Sequence, residues 1–192
     1  DNQFIEVIIA PSFSEDAKNA FSKKPNIRLL ISSSLNTNVM ETKTSYGIKL
    51  TQMQDNADPQ NHDLKIVSNL EPSKSEEQDL IFAMKVAKHV KSNAIVLAKN
   101  KMTIGIGAGQ MSRVVSTKIA FMKAKEEGLD VTNCVLASDA FFPFRDNIDL
   151  AAENGAKHII QPGGSIRDQE VIDAINENDM TMAVTGIRHF KH

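Results

Sequence analysis

"NAIVLAKNKMTIGIG", residues 93–107, is the stretch on which the fold turns. Two β-prone runs, "NAIVLAK" and "MTIGIG", flank Asn100-Lys101, a pattern that predicts a β-hairpin. Downstream of it strands and helices alternate. A helix is predicted over 112–127, with Val115, Ile119 and Met122 on one face and Gly128 as its stop. "CVLAS" (134–138) reads as a buried strand, and "DNIDLAAENG" (146–155) as a short helix stopped by Gly155. "KHIIQ" (157–161) is a strand, "IRDQEVIDAINEN" (166–178) a helix and "MTMAVTG" (180–186) a last strand. Upstream, Ser73 and Glu76 have capping-box spacing and open a helix whose inner stripe includes Leu80, Met84 and Ala87. Strands alternating with helices predict an α/β fold, a layered sheet with flanking helices.

The first third is less regular. "FIEVIIAP" (4–11) is a strand closed by Pro11. In "SFSEDAKNAFSKK" (12–24), Ser12 and Glu15 have capping-box spacing, and Ala17, Ala20 and Phe21 share a helical face. "IRLLISS" (27–33) is the next strand, and "TSYGIKLTQMQD" (44–55) holds one or two more. Residues 55–64, "DNADPQNHDL", are polar and suit an exposed connection.

Composition narrows the function classes. A net charge of -2 over 192 residues gives no electrostatic footprint for nucleic acid. No apolar run reaches membrane-spanning length. Cys134 is the only cysteine, so no intrachain disulfide forms, and a reducing, cytoplasmic compartment is expected. The chain opens on Asp1 just before a strand, and a piece of something longer is expected.

Ligands of such sheets gather at strand ends. "GIGAGQMSR" (105–113) sets Gly105, Gly107 and Gly109 before a helix that begins near Arg113. It fits neither the P-loop nor the dinucleotide fingerprint. By itself it reads as glycines that let strand and helix pack closely, although Arg113 has the fork geometry that grips a phosphate or carboxylate. "QPGGS" (161–165) reads as a turn in which Ser165 caps a helix, with Asp168 three residues on. "RHFKH" (188–192) reads as a solvated tail. In "KHVKSNA" (88–94) the basic residues suit a helix C-terminus, whereas Asn93 offers an amide that donates and accepts. The histidines, at 62, 89, 158, 189 and 192, show no ligand spacing on a helix. A zinc deaminase would need His-x-Glu and Cys-x-x-Cys, and neither occurs, so no zinc is expected. "SDAFFPFRDN" (138–147) places Phe141, Phe142 and Phe144 among Asp139, Arg145 and Asp146, which suits neither a core strand nor an ordinary loop.

Taken together, "KSNAIVLAK", "IGIGAGQMSR", "SDAFFPFRDNID", "QPGGS" and "TGIRHF", in this order, resemble the C-terminal part of the AICAR transformylase/IMP cyclohydrolase family. The resemblance is dense from about residue 85 onward. It is looser before that, where "FIEVIIAP" and "KKPNIRLL" are similar to family segments. It implies a cytidine-deaminase-like, duplicated α/β fold without the deaminase zinc. Residues 1–70 would be an N-terminal segment of the transformylase region and 71–192 its C-terminal subdomain. The implied reaction moves a formyl group from 10-formyltetrahydrofolate to the 5-amino group of AICAR in purine (IMP) biosynthesis, in a homodimer with sites across the subunit interface. A separate cyclohydrolase domain then closes the ring.

Carried over by position, Asn93 and Arg188 resemble AICAR contacts, and Arg113 the family's substrate-site arginine. Phe141, Pro143, Asp146 and Asn147 resemble folate-pocket residues, with Val114, Ser165 and Phe190 nearby. His192 matches a terminal histidine. Ser92, Asp139 and the 189–191 backbone fall near a monovalent-cation (K+) site. The Phe-rich loop would then wall a flat ring, while Asp139 and Arg145 either serve the site or pair beneath the loop. The family's catalytic Lys-His pair lies in a segment followed by Pro and Gly. Lys88-His89 is followed by "VKSNA" and is a different place, so these residues alone are expected to bind without turnover. The competing reading is a non-catalytic α/β ligand-binding or interaction domain.

Overall fold

A computed structural model describes residues 4–32, 40–58 and 64–191. The chain divides into two units, Asp1–Asn56 and Ala57–His192.

In the first unit, strand β1 (Val7–Ala10), helix α1 (Glu15–Ser22) and strand β2 (Arg28–Ile31) form a parallel crossover, with Val7 opposite Arg28. The cap of α1 is Ser14, not Ser12: its side chain accepts from the Ala17 N–H at 3.2 Å. That start leaves Glu15 and Asp16 in the first turn, where the helix dipole favours both. "TSYGIKLTQMQD" belongs to two strands, β3 (Met40–Ser45) and β4 (Ile48–Met53), paired antiparallel. Their two-residue turn has positive φ at Tyr46 (48°) and Gly47 (80°), the geometry that matches strand twist. No described residue of this unit is buried.

The second unit holds β5 (Lys65–Ile66), α2 (Lys74–Ala87), β6 (Ile95–Lys99), β7 (Met102–Gly107), α3 (Arg113–Glu126), β8 (Cys134–Ser138), α4 (Asp146–Glu153), β9 (Ala156–Gln161), α5 (Asp168–Glu177) and β10 (Thr181–Val184). Its six-stranded sheet runs in the order β5-β10-β9-β8-β6-β7. β8, β9 and β10 are parallel; β5, β6 and β7 run antiparallel to their neighbours. The hairpin predicted around Asn100-Lys101 is β6–β7, and both turn residues take positive φ. β5 has only two residues, too few to show a period in sequence.

Strand alternation sorts the core into two layers. Ile95, Leu97, Leu136, Ile159 and Met182 face one side, where Phe121, Ile148, Val171 and Ile175 of α3, α4 and α5 cover them. Val96, Ala98, Val135, Ala137, Ile160 and Ala183 face the other, beneath Leu80, Ala83, Met84 and Ala87 of α2. The expected layered α/β sheet with flanking helices is therefore the architecture of this unit. The predicted capping box of α2 is present in full, with Ser73 and Glu76 each accepting from the other's backbone N–H.

α3 departs from its expected face. Val115 and Met122 are exposed, and the buried side is Ser116, Thr117, Ala120, Phe121 and Ala124. The cause is in β7. A Cβ at Gly105 would lie 2.1 Å from the Ala120 carbonyl oxygen, and one at Gly107 would lie 1.8 Å from that of Ser116. Helix backbone rests directly on strand backbone at Ser116 and Ala120, both small, while Phe121 packs into the adjoining core. The packing reading of these glycines holds.

The strand pairing brings one set of ends together. Ile95 lies opposite both Gly107 and Ser138, and the parallel β8, β9 and β10 finish at that same edge.

Candidate functional site

At that edge is a cleft of about 470 Å³, entirely within the second unit. It is lined by Asn93, Met111, Ser112, Arg113, Val114, Ala140, Phe141, Pro143, Phe144, Asp146, Asn147, Arg188 and Phe190. Four segments distant in sequence meet there: the start of β6, the start of α3, the loop from β8 to α4, and the strap after β10.

The floor is a buried polar network. Asp139 has no exposed surface, and Arg113 is 8% exposed. One carboxylate oxygen of Asp139 accepts from Nη1 of Arg113, the other from the Ser92 hydroxyl at 2.5 Å. Nη1 of Arg113 also donates to Ser138 Oγ at 3.0 Å, and Nη2 donates to Asn93 Oδ1 at 2.8 Å. The Asn93 amide nitrogen donates to the Gln110 carbonyl at 2.8 Å. Asn147, 2% exposed, accepts from Thr117 Oγ1 at 3.0 Å and donates to Asp146 Oδ1 at 3.0 Å. A buried charge pair persists only when its geometry is good and further hydrogen bonds support it; here both Asp139 oxygens and both Nη1 hydrogens of Arg113 are engaged. Arg113 keeps its Nε hydrogen and one on Nη2 for anything in the cleft. Asn93 and Asn147 mainly orient their neighbours.

The walls are aromatic, and the three phenylalanines of "FFPF" divide the work. Phe142 is fully buried in the core, and its N–H donates to Gln161 Oε1 at 2.8 Å. Phe141 lines the cleft with the Arg188 guanidinium over its ring, 4.7 Å from the centroid. Phe144 is 48% exposed and carries Arg167 over its ring at 4.9 Å. Asp139 and Arg145 are not paired beneath the loop. Arg145 sits two-pronged on Asp149, at 2.9 and 3.0 Å, and reaches Glu177 at 2.7 Å, while Asp139 belongs to Arg113. The Asp149 and Glu177 hydrogen bonds hold the Arg145 guanidinium more firmly protonated than usual.

The closing residues are no loose tail as far as Lys191. Ser92 N–H donates to the Lys191 carbonyl at 2.8 Å, the Lys191 N–H donates to Ser92 Oγ at 3.0 Å, and the His189 N–H donates to the Asp139 carbonyl at 3.0 Å. This strap brings the exposed Arg188 and Phe190 to the cleft.

Nine predicted site residues thus share one cleft: Asn93, Arg113, Val114, Phe141, Pro143, Asp146, Asn147, Arg188 and Phe190. Ser165 does not line it. The Asp168 carboxylate accepts from the Gly164 and Ser165 N–H groups at 2.7 and 3.1 Å, so the amides that an anion would need at "QPGGS" are taken from within. Nor is Ser165 the N-cap of α5: that position falls to Arg167, two residues on, whose own N–H donates to the Ser165 hydroxyl at 3.1 Å. His192 lies outside the described residues. Met111, Ser112, Ala140 and Phe144 line the cleft without having been singled out as site residues; all four are near neighbours of residues that were.

Chemically the cleft offers flat apolar walls, an exposed guanidinium, Arg188, and an exposed carboxylate, Asp146, in its lining. Among the described residues no three His, Cys, Asp or Glu side chains converge, and no helix is long and apolar enough to cross a membrane.

A protein-family model described as "AICARFT/IMPCHase bienzyme" matches residues 1–123. That range takes in the first unit, α2, the hairpin and most of α3, and stops before the Phe-rich loop. The resemblance over the earliest residues is therefore firmer than the motifs alone suggested. Among solved structures, the chain is similar to a diaminohydroxyphosphoribosylaminopyrimidine deaminase/5-amino-6-(5-phosphoribosylamino)uracil reductase of Thermotoga maritima. The two are 16% identical with a TM-score of 0.36, over 56% of this chain and 34% of that one. This chain spans about a third of that protein's length.

Proposed function

The chain belongs to the AICARFT/IMPCHase bienzyme family of purine biosynthesis, and from that premise we propose that it is the C-terminal part of the transformylase region and supplies binding walls for AICAR and a folate. The observation that carries this reading is the convergence of nine residues, assigned to substrate by position in the sequence, on one cleft.

The geometry suggests how the work is divided. Arg188 is the anion-receiving group, exposed and held against the Phe141 face. Phe141, Pro143, Phe144 and Phe190 enclose a flat heterocycle, which stacks on aromatic faces and excludes water. Asp146 accepts from a ring N–H or an amino group. Arg113 and Asn93 stand behind, adding the donors that Asp139 leaves unused. Formyl transfer breaks the N10–formyl bond of the folate and forms a bond to the AICAR amine. The amine must lose a proton and the folate nitrogen must gain one. The family's Lys-His pair supplies those steps in this reading and lies outside the "KHVKSNA" segment. Binding without turnover is therefore proposed for these 192 residues alone. A cytoplasmic homodimer with shared sites, and a cyclohydrolase domain elsewhere in the full protein, belong to the same reading.

Potassium is a separate matter. The Ser92 hydroxyl, the Asp139 carboxylate and nearby carbonyls are hard oxygen donors of the type K+ takes. However, the Asp139 charge is already matched by Arg113, and both its oxygens are engaged. In this reading K+ would draw on the remaining lone pairs of that carboxylate and on the Ser92 and carbonyl oxygens.

Calorimetric titration tests the proposal. The chain should bind AICAR and tetrahydrofolate, and Arg188→Ala should weaken AICAR binding by roughly tenfold or more. Binding of neither ligand would overturn the reading. Brisk turnover by these residues alone would overturn the assignment of proton transfer to the Lys-His pair.

A further inference from the structure

Ser92 is the residue that touches both the buried charge pair and the strap. Its hydroxyl donates to Asp139 Oδ2 at 2.5 Å and accepts from the Lys191 N–H at 3.0 Å, while its own N–H donates to the Lys191 carbonyl at 2.8 Å. Asp139 holds Arg113 with its other carboxylate oxygen and takes the His189 N–H on its backbone carbonyl. Arg188 and Phe190 alternate with His189 and Lys191 along the strap. His189 and Lys191 make the inward bonds, and Arg188 and Phe190 line the cleft. The segment is also anchored by that His189 bond and, before Arg188, by the Gly186 N–H, which donates to the Pro162 carbonyl at 2.9 Å.

We infer that Ser92 is a positioning residue: its hydroxyl fixes the strap so that Arg188 lies on Phe141 and Phe190 faces the cleft, and it ties that placement to the Arg113–Asp139 pair. It does not itself line the cleft. A flat anionic ligand would meet a preset cation and wall instead of having to order them. Preorganisation of this kind lowers the ordering cost of binding. The inference rests on the reading of the cleft as an AICAR site, but its first arm needs no ligand.

That arm is amide hydrogen exchange on the 192-residue chain. Ser92→Ala should speed exchange at His189 and Lys191 while leaving the β8 and β9 amides unchanged, and Ser92→Thr, which restores a hydroxyl, should slow it again. The second arm is AICAR affinity. Ser92→Ala should lose roughly tenfold, the scale of one hydrogen bond to a charged group. Lys191→Pro, which deletes the donating amide, should give a similar loss, and Lys191→Ala, which keeps it, should not. If Ser92→Ala fails to fold, the two Lys191 variants decide the matter alone. Unchanged exchange at His189 and Lys191 in Ser92→Ala overturns the tether. Faster exchange with wild-type affinity overturns its role in positioning. A wild-type chain that binds neither AICAR nor tetrahydrofolate would remove the functional reading, and the exchange arm would still decide whether Ser92 holds the strap.

Discussion

The two units contain strands of similar apolar character and end in opposite states. "FIEVIIAP" and "IRLLIS" in the first are as hydrophobic as "NAIVLAK" and "CVLAS" in the second. Yet Ile9 is 64% exposed and Leu30 50%, whereas Leu97 and Leu136 are fully buried. Strand sequence alone does not make a core. β6 and β8 each have a strand on both sides and a helical layer on both faces, while among the described residues β1 and β2 pair with each other alone, beside one short helix. Burial follows the number of covering layers, because apolar area counts only once it leaves water.

The sharpest way to break this contrast is to cut into the second unit where charge is buried. Arg113→Ala would leave Asp139 unpaired in the interior, and a loss of about 3–5 kcal/mol is expected in urea unfolding. Leu136→Ala removes a fully buried side chain between two layers and should cost about 2–5 kcal/mol. Gly107→Ala forces a Cβ into the Ser116 carbonyl and should cost about 1–3 kcal/mol, with α3 displaced from β7. In the first unit, Leu30→Ala should change stability by less than about 0.5 kcal/mol. A loss there as large as that of Leu136→Ala would erase the distinction between the units.

The smallest effect is a dependence on pH. His158 lies against Thr181 Oγ1 at 2.9 Å and Glu76 at 3.3 Å, with Asp79 and Lys157 also acting on it. Burial pushes its pKa below the ordinary 6.5, against the pull of Glu76. Glu76 is itself raised by burial but lowered further by its Ser73 hydrogen bonds, and ends below the usual carboxylate range. For His158 the unfolded chain binds its proton first as pH falls. Stability is therefore full above pH 6.5 and declines as pH drops through the window below it. Residues 1–56 contain no histidine. A pH titration of unfolding should show this decline for wild type and a flatter curve for His158→Gln.

Much of the second unit was legible because local signals agreed. The Asn100-Lys101 turn, the Ser73/Glu76 box and the strand–helix alternation each pointed to the structure that forms. What sequence hid were relations between segments. The stripe Val115, Ile119, Met122 looks like an inner face, and only the contact of Gly105 and Gly107 with the helix backbone shows why smaller residues take it. The run Phe141–Phe144 announces an unusual loop but not that Phe142 turns inward. No residue considered singly announced the cleft. It was legible through the order of five motifs, since a site built from four distant segments leaves no local pattern to read.

The seam between β7 and α3 has a bearing on how the cleft accommodates different occupants. With peptide oxygens of the helix resting where strand side chains would be, α3 cannot slide or tilt without carrying the hairpin along. The end that holds Arg113 is thus part of a stiff block. Under the proposed reading, room for a longer or bulkier guest would have to come from the other walls, the 140–144 loop and the strap at Arg188 and Phe190, and not from α3.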